Sequence, residues 1–218
     1  MQNLETKTLQ QLIDKLLSVN KFKKKVIMIR HGESYGNVGK QFHGQLDFEL
    51  TQNGIKQAKD RQPVLSPYLD RIDYIKCSSL VRSIQTMQNM LDLDSNKEIH
   101  EKIEYDHKIK EMNYGVLEGA YRDYNEVPRT ELIGLLHMLY TGTFIPLGSE
   151  GKGFGKRIRE SLSESQNGFG VYFTHSGVIY NLTHEILGKT YIKNCGAVAF
   201  AFDEYEKEVE LIGYYIGG

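Results

Sequence analysis

Apolar residues follow two different spacings along the chain, and segments of the two kinds alternate. Continuous runs of β-branched and aromatic residues predict buried strands, whereas apolar residues three and four positions apart predict amphipathic helices. The predicted strands cover residues 26–30, 72–77, 170–174, 197–203 and 208–215, with a short extended segment near Ile103. Helices are predicted after residue 51, after residue 80, over residues 132–139, around Ile158 and Leu162, and over residues 178–187. This alternation favours a layered α/β fold, in which the last two strands form a hairpin pair.

Polar side chains stand where two of these helices should begin. Thr51 is a good N-cap, because its hydroxyl can accept a hydrogen bond from a free backbone N–H of the first turn. By the same reasoning, Ser78 or Ser79 is expected to cap the helix that begins near Leu80.

An amphipathic helix is also predicted near the amino terminus. Its apolar residues recur at i, i+3, i+4, i+7 and i+8, and Asn20 is expected to end it. This apolar face consists of Leu9, Leu12, Ile13, Leu16 and Leu17. Four lysines follow within residues 21–25 and are interpreted as a solvated linker. The alternative is a surface that attracts an anionic substrate or an acidic lipid.

Composition narrows the classes of function. A formal net charge of -1 over 218 residues argues against a global field suited to nucleic acid. No apolar run approaches the roughly 20 residues of a membrane span, and the first residues lack the layout of a signal peptide. Cys77 and Cys195 have no metal-ligand spacing and are interpreted as reduced core thiols. We therefore expect a cytoplasmic protein without a membrane span or a nucleic-acid partner.

Histidines and arginines follow three of the predicted strands. Arg30 and His31 stand at the end of the strand predicted at 26–30, and Arg82 comes shortly after the one at 72–77. His175 directly follows the strand predicted at 170–174. A single histidine is usually structural, and a single Arg82 or Glu111 is usually a solvated charge. Their shared position favours a site, because ligands of α/β proteins bind at the carboxyl ends of strands. A histidine beside an arginine there is well placed to attack a phosphorus atom.

Four sequence blocks resemble the signature of a known family. The first contains Arg30-His31-Gly32-Glu33-Ser34 with Asn37, Phe42, Gly44, Asp47, Leu50-Thr51, Gly54 and Gln57-Ala58. The others lie at residues 78–86, 111–119 and 174–179. Together they resemble the histidine phosphatase superfamily, in its phosphoglycerate-mutase-like branch. One block alone would be a weak signal, but four blocks in family order over residues 26–203 are highly specific.

The resemblance implies a fold and a division of the chain. The expected fold is α/β, a three-layer α/β/α sandwich around a mostly parallel sheet. Residues 1–22 would be an N-terminal helical extension, and residues 23–218 would form the histidine phosphatase domain. A short lid near residues 120–150 would cover the pocket.

The resemblance also implies roles for single residues. His31 would be the nucleophile that becomes phosphorylated, and Glu111 would act first as general acid and then as base. The phosphoryl group would be surrounded by Arg30, Arg82 and His175. Substrate would be bound by Asn37, Gly44 and Ser176. Neither a metal nor another cofactor is expected, and the partner would be a small phosphorylated substrate.

General chemistry supports these roles independently. A phosphate monoester carries nearly two negative charges near neutral pH, and its transfer depends on positive charge around the equatorial oxygens. Arginine is always charged, and histidine can attack through a nitrogen that is unprotonated near pH 7. The substrate alkoxide is a poor leaving group, so a carboxylic acid at Glu111 would protonate it.

Four positions depart from the commonest family pattern. They are Gly36, His43, Ser176 and Tyr180. None of the departures removes a charge that the mechanism needs. We expect His43 and Tyr180 to alter which substrates fit.

A phosphoglycerate-mutase-type phosphotransferase is the first alternative function. Mutases of this family hold the substrate carboxylate with a close pair of arginines in a longer insertion, whereas Arg122 and Arg129 are well separated here. A short lid would also make it harder to keep water from a phosphohistidine. We therefore expect a phosphoric monoester hydrolase in preference to a mutase.

Two other classes of function, a nucleotide-binding protein and a non-catalytic binding module, are alternatives to this enzyme. Residues 148–156 superficially resemble a nucleotide-binding phosphate loop, but the glycine-to-lysine spacing fails and Arg157 stands where Ser or Thr is needed. A mobile loop that closes on the pocket is expected there instead. A non-catalytic module that binds a phosphorylated ligand is disfavoured, because all five charged or nucleophilic positions are intact. A homodimer is one option for the oligomeric state.

Overall fold

A six-stranded mixed sheet forms the centre of the protein in a computed structural model. The structure describes residues 4–121, 129–188, 190–203 and 209–218. The strands are β1 (Lys24–Arg30), β2 (Tyr74–Cys77), β3 (Ile103–Tyr105), β4 (Gly168–Thr174), β5 (Ala197–Phe202) and β6 (Val209–Tyr215). Their spatial order is β3-β2-β4-β1-β5-β6.

Helices flank this sheet on both sides. The α-helices are α1 (Leu9–Ser18), α2 (Tyr35–Val38), α3 (Gln52–Lys59), α4 (Gln62–Leu65), α5 (Val81–Leu91), α6 (Arg129–Tyr140), α7 (Gly153–Ser163) and α8 (Ser176–Leu187). Short 3₁₀ helices cover Ser66–Arg71, Lys97–Lys102, His107–Ile109 and Gly115–Leu117. No helix in the described ranges is both long and apolar enough to cross a membrane.

Both faces of the sheet are buried, which gives the fold three layers. On β1, Ile27 and Ile29 belong to one apolar cluster, while Val26 and Met28 belong to another on the opposite face. Successive side chains of a strand point to opposite faces, so a strand covered on both sides reads as a continuous apolar run. The predicted α/β sandwich is confirmed, and so are the predicted strands and the closing hairpin pair.

Four neighbouring strands, β3, β2, β4 and β1, run in the same direction. Strand β4 pairs in parallel with β1 and with β2, and Arg30 lies opposite Thr174 in that register. The carboxyl ends of these strands therefore meet at one edge of the sheet, next to Cys77 of β2. Strand β5 runs antiparallel to β1 and continues the sheet on the other side.

The two predicted helix caps have different outcomes. Thr51 caps α3 as predicted, with its hydroxyl accepting from Gly54 N at 3.0 Å. The prediction of a serine cap on α5 is wrong, because Leu80 is the N-cap residue and makes no side-chain cap. Instead, Asp47 Oδ1 accepts from Val81 N at 2.7 Å, so a distant loop satisfies the first turn. Ser78 Oγ accepts from Leu80 N at 3.4 Å, just before the helix begins.

The amino-terminal helix α1 packs on the protein's own core. It ends at Ser18, slightly before the predicted Asn20, and Thr8 caps its start. Its apolar face is buried against the sheet, through Leu9, Leu12, Ile13 and Leu16. The division of the chain near residue 22 and the lid near residues 120–150 remain predictions, and residues 122–128 lie outside the described part.

The basic run at residues 21–25 is only partly a linker. Strand β1 already begins at Lys24, which is 5% exposed and donates from Nζ to the Ser163 carbonyl. Interpreting the whole run as solvated is therefore wrong for Lys24, because the sheet extends further than the apolar pattern indicated. The interpretation of Cys77 and Cys195 as core thiols is confirmed, since both are free and buried.

Truncating the buried face of α1 should destabilise the protein without affecting its chemistry. We expect Leu12→Ala to cost about 2–5 kcal/mol of unfolding free energy, because Leu12 is fully buried. For a chain of this size, that corresponds to a melting temperature lower by on the order of 10 °C. The exposed neighbour Gln11→Ala is the matched control. Equal melting temperatures for the two variants would contradict this account of α1.

Candidate active site

Two histidines meet at the edge where the parallel strands end. His31 follows β1, and its backbone N–H donates to the Thr174 carbonyl at 3.0 Å. His175 follows β4 as the N-cap residue of α8. The centroids of the two imidazole rings lie 5.2 Å apart, and both residues are buried. The sheet therefore brings together two side chains that are 144 positions apart in sequence (175 − 31).

The protonation of His31 follows from its surroundings. Its Nδ1 lies 2.6 Å from the Gly32 carbonyl oxygen, which can only accept, so Nδ1 carries the hydrogen. Burial, followed by the positive charges of Arg82 and Arg30, lowers the pKa of His31 well below its ordinary value. The ring is therefore neutral near pH 7, with the lone pair on Nε2. An unprotonated Nε2 is the atom that a nucleophilic histidine needs.

Two serines of the β2–α5 segment orient His175. Its Nε2 lies 2.7 Å from Ser78 Oγ and 3.3 Å from Ser83 Oγ. Its Nδ1 is buried and has no hydrogen-bond partner among the described residues. Burial, and then the charge of Arg82, lowers the pKa of His175 well below its ordinary value. One ring nitrogen of His175 is thus held by the protein, and the whole side chain is buried.

Arg30 supplies a buried cation beside His31. Its Nη1 donates to the Ile192 carbonyl at 2.9 Å, and its guanidinium stacks 4.9 Å from the centroid of the Tyr191 ring. Its Nε is buried without a hydrogen-bond partner in the described part of the chain. An unsatisfied buried donor is costly, so this arrangement favours binding of an anion.

Arg82 is fully buried. Its guanidinium is hydrogen bonded to a loop and does not line the described wall of the cavity. Its guanidinium donates to the carbonyls of His43 at 3.0 Å, Gly44 at 2.8 Å and Leu46 at 2.9 Å. Burial lowers the pKa of Arg82 to about 10, so it stays charged at neutral pH. Its predicted contact with the phosphoryl group remains a prediction, while its charge already acts on both histidines.

Gly44 has a structural reason to be glycine. A Cβ there would lie 1.8 Å from the Met112 carbonyl oxygen, so the loop can approach the Glu111 segment only without a side chain. Its carbonyl accepts from Arg82, as described above. Among the described residues, the wall of the cavity includes neither Gly44 nor Arg82. The predicted contact of Gly44 with substrate remains a prediction.

Glu111 places a buried carboxyl group across the cavity. Its Oε1 accepts from Met112 N at 2.9 Å, and its Oε2 accepts from Gly177 N at 3.0 Å, with Ser176 Oγ 3.5 Å away. Burial raises the pKa of Glu111, and the two backbone N–H donors and Arg82 oppose that rise in part. A carboxyl group whose pKa is raised can hold a proton near neutral pH and donate it.

Asn37 is oriented by its own helix cap. Its Oδ1 accepts from Ser34 N at 3.1 Å and from Asn194 Nδ2 at 3.3 Å. Because these bonds occupy the oxygen, the amide Nδ2 is the atom that can donate to a bound anion. This geometry agrees with the predicted role of Asn37, which stays a prediction.

A narrow cavity lies between Arg30, His31, Asn37 and Glu111, and its described lining includes neither His175 nor Arg82. Its volume is about 20 Å³, room for little more than a water molecule. It is lined by Arg30, His31, Asn37, Phe42, His43, Glu111, Tyr114, Tyr140, Ser176 and Tyr191. The Tyr114 and Tyr140 hydroxyls are 2.7 Å apart on its wall. The cavity therefore has charged and polar groups on one side and tyrosine rings on the other.

The two positions expected to tune substrate fit are placed differently. His43 lines the cavity, with its ring centroid 6.4 Å from that of His31. Tyr180 does not line the described wall of the cavity. Its hydroxyl lies 3.0 Å from His137 Nδ1, and its ring stacks on that of His184. Its ring centroid is 5.6 Å from that of Tyr140, so Tyr180 contacts the wall from behind.

Several residues of the site were not predicted from sequence. Tyr191 and Asn194 come from the segment between α8 and β5, which shows neither periodicity nor a motif. Glu150 and Arg157 form a hydrogen-bonded ion pair, with Glu150 Oε2 2.6 Å from Arg157 Nε. Residues 148–156 were expected to form a mobile closing loop, but α7 begins at Gly153, so residues 153–156 are helical.

The chain is similar to known proteins in both sequence and structure. The model of the histidine phosphatase superfamily (branch 1) matches residues 26–213. A 2,3-bisphosphoglycerate-dependent phosphoglycerate mutase from Buchnera aphidicola subsp. Schizaphis graminum is 33% identical over 99 residues. That match covers 45% of this chain but only 42% of the length of the mutase.

Solved structures share the fold. Mycobacterial hydrolase 1 superposes with a TM-score of 0.67 at 20% identity, covering 86% of this chain and 96% of the hydrolase. A phosphoglycerate mutase from Thermus thermophilus gives 0.64 at 22% identity, covering 86% and 96%. A candidate alpha-ribazole-5'-P phosphatase from Escherichia coli K-12 gives 0.67 at 20% identity, covering 87% and 96%.

At such low identities the solved structures establish the fold alone, whereas the match to the family model extends over most of the chain. That match contains both histidines of the sheet edge and Glu111. The chain therefore belongs to the histidine phosphatase superfamily, branch 1, and has the phosphoglycerate-mutase-like fold of its structural relatives.

Proposed function

We propose that the protein is a metal-independent phosphatase that hydrolyses a phosphate monoester through a phosphohistidine at His31. The observation that carries the proposal is the bond from His31 Nδ1 to the Gly32 carbonyl, 2.6 Å long, which leaves Nε2 unprotonated beside a buried arginine. The raised pKa of Glu111 across the same cavity supplies the complementary acid.

The reaction has two chemical steps. In the first, His31 Nε2 forms a bond to phosphorus while the bond from phosphorus to the ester oxygen breaks, and Glu111 donates its proton to that oxygen. In the second, a water oxygen attacks phosphorus, the nitrogen–phosphorus bond breaks, and the Glu111 carboxylate takes a proton from the water. Inorganic phosphate then leaves, and both residues regain their starting protonation.

Charge on the transferred group is stabilised from several sides. Arg30 and the Asn37 amide donate from the wall of the cavity, and His175 offers its unpaired Nδ1. Arg82 contributes through its field, because it is buried close to both histidines. Positive charge in a buried site acts more strongly on a developing dianion than it would in water.

A mutase-type phosphotransferase is the second candidate function. The name of the Buchnera relative supports it, because that protein is a phosphoglycerate mutase. Both activities share the first step and differ in whether water or a second substrate accepts the phosphoryl group. We favour hydrolysis because Arg122 and Arg129 are well separated in sequence, whereas mutases of this family bind the substrate carboxylate with a close pair of arginines. The cytoplasmic location, the small phosphorylated substrate and the homodimer are likewise proposals that rest on sequence.

Removing the nucleophile should abolish activity. We expect His31→Ala to lower kcat/KM for an aryl phosphate by at least about 10³-fold, because the proposed first step forms a bond from His31 Nε2 to phosphorus. The exposed His107→Ala is the matched control and should retain activity. Assays with EDTA should give the same rates as assays without it. Full activity in His31→Ala, or a strict requirement for magnesium, would overturn the proposal.

The choice between hydrolase and mutase is tested by the fate of the phosphoryl group. We expect the protein to release inorganic phosphate from small phosphate esters faster than it isomerises a phosphoglycerate. Both rates are measured on the same preparation, with His31→Ala as the blank. Isomerisation that outpaces phosphate release would decide in favour of the mutase.

The role of Glu111 is tested by varying the leaving group. Glu111→Gln should lower kcat/KM for alkyl phosphates by about 10²–10⁴-fold, since an alkoxide needs the proton of a general acid. Aryl phosphates should lose much less, because a phenolate leaves with little help. Glu101→Gln, on an exposed residue, is the control. Equal losses on both kinds of ester would mean that Glu111 is not the acid.

A further inference from the structure

We propose that Arg157, together with Glu150, is a positioning residue that holds the Glu111 carboxyl within reach of the leaving group. The proposal rests on the function proposed above, in which Glu111 is the general acid. Arg157 is outside the described wall of the cavity, so it is not placed to touch the substrate itself. It acts through the backbone of the segment that contains Glu111.

The Arg157 guanidinium forms two hydrogen bonds to the Glu150 carboxylate, one to each oxygen. Nε donates to Oε2 at 2.6 Å, and Nη2 donates to Oε1 at 2.8 Å. The two side chains are 17% and 20% exposed, so solvent screens the pair only weakly. The ring of Phe154 lies 4.8 Å from the guanidinium and fixes its plane. This geometry is rigid, because a planar fork leaves little freedom to either partner.

The remaining donors of Arg157 hold the backbone around Glu111. Nη1 donates to the Lys108 and Lys110 carbonyls, and Nη2 donates to the Glu111 carbonyl at 2.9 Å. On the other side of Glu111, Glu150 Oε1 accepts from Asn113 N at 2.6 Å. The ion pair therefore fastens the chain both before and after the acid.

The segment needs this support because no regular structure provides it. Residues 110–114 belong to neither a helix nor a strand of the described structure. Before them, the Ile109 carbonyl is anchored to β4 by Thr174 Oγ1 at 2.8 Å. After that anchor, the Glu111 carbonyl is held by Arg157 and by Gln45 Nε2, at 2.7 Å for Gln45.

Small displacements matter at a general acid. The Glu111 carboxyl bonds to Gly177 N on α8 and to Met112 N in its own segment. If the backbone of that segment moves, the carboxyl moves relative to His31, which belongs to a different element. A shift of about 1 Å at a reacting group can cost up to about 10²-fold in rate. Loss of Arg157 should therefore affect the step that depends on proton donation.

The test compares Arg157→Gln and Arg157→Lys with Arg159→Gln. Arg159 lies on the same helix, is exposed and is outside the site, so its loss controls for charge. We expect both Arg157 variants to lose about tenfold more kcat/KM on alkyl than on aryl phosphates, because lysine cannot form the fork. The ratio is measured on one sample, so partial unfolding does not change it. An unchanged ratio would overturn the proposal.

A double variant asks whether Arg157 acts through Glu111. Adding Arg157→Gln to Glu111→Gln should leave the alkyl-to-aryl ratio of Glu111→Gln unchanged, since the acid is already missing. A further change in that ratio would show that Arg157 acts by another route. If Glu111→Gln alone shows no leaving-group dependence, the proposed acid fails while the positioning claim still has its own measurement.

That measurement is amide hydrogen exchange at Met112 and Asn113. Both N–H groups donate to carboxylates of this arrangement, the first to Glu111 and the second to Glu150. We expect exchange at these amides to be at least about tenfold faster in Arg157→Gln than in Arg159→Gln, because local opening becomes easier. Equal exchange rates in the two variants would overturn the positioning role whatever the activity.

Discussion

The parallel pairing of β2, β4 and β1 is the constraint on which the rest of the site depends. Because these strands run in one direction and are hydrogen bonded side by side, the residues that follow them emerge at one edge. His31, His175 and Ser78 thereby come into contact, although each belongs to a different part of the chain. The main-chain bond from His31 N to the Thr174 carbonyl continues the ladder one residue past β1 and sets the spacing of the two rings.

Burial at this edge then sets the protonation of the groups that it brings together. The pKa of His31 is lowered and that of Glu111 is raised, and in both cases loss of water is the largest cause. Burial thus favours the neutral form of each group, as the proposed nucleophile and the proposed proton donor require. The positive charge of Arg82 favours the neutral histidines but opposes the neutral acid, so burial has the larger effect on Glu111.

Segments outside the α-helices and strands complete the site, and arginine side chains hold them. Arg82 fastens the loop at residues 43–46 through three carbonyls, and Arg157 fastens the segment at residues 108–111 through three others. In both cases a guanidinium replaces the hydrogen bonds that a helix or strand would supply. Breaking such a buried arrangement by removing one partner is costly, since it leaves the other groups unsatisfied.

The sequence by itself determined the α/β class, the strands, the Thr51 cap and the four family blocks, because each depends on neighbouring residues or on a fixed local spacing. Contacts between distant segments were decided only by the tertiary structure. Ser78 was expected to cap α5, but the N-cap residue is Leu80, Asp47 accepts from Val81 N, and Ser78 bonds to His175. Lys24 was assigned to a linker because its own side chain is polar, yet β1 begins there and buries it. The hydrogen bonds from Arg157 to the segment that contains Glu111 join residues 46 to 49 positions apart in sequence. No local pattern of residues encodes contacts over such a separation.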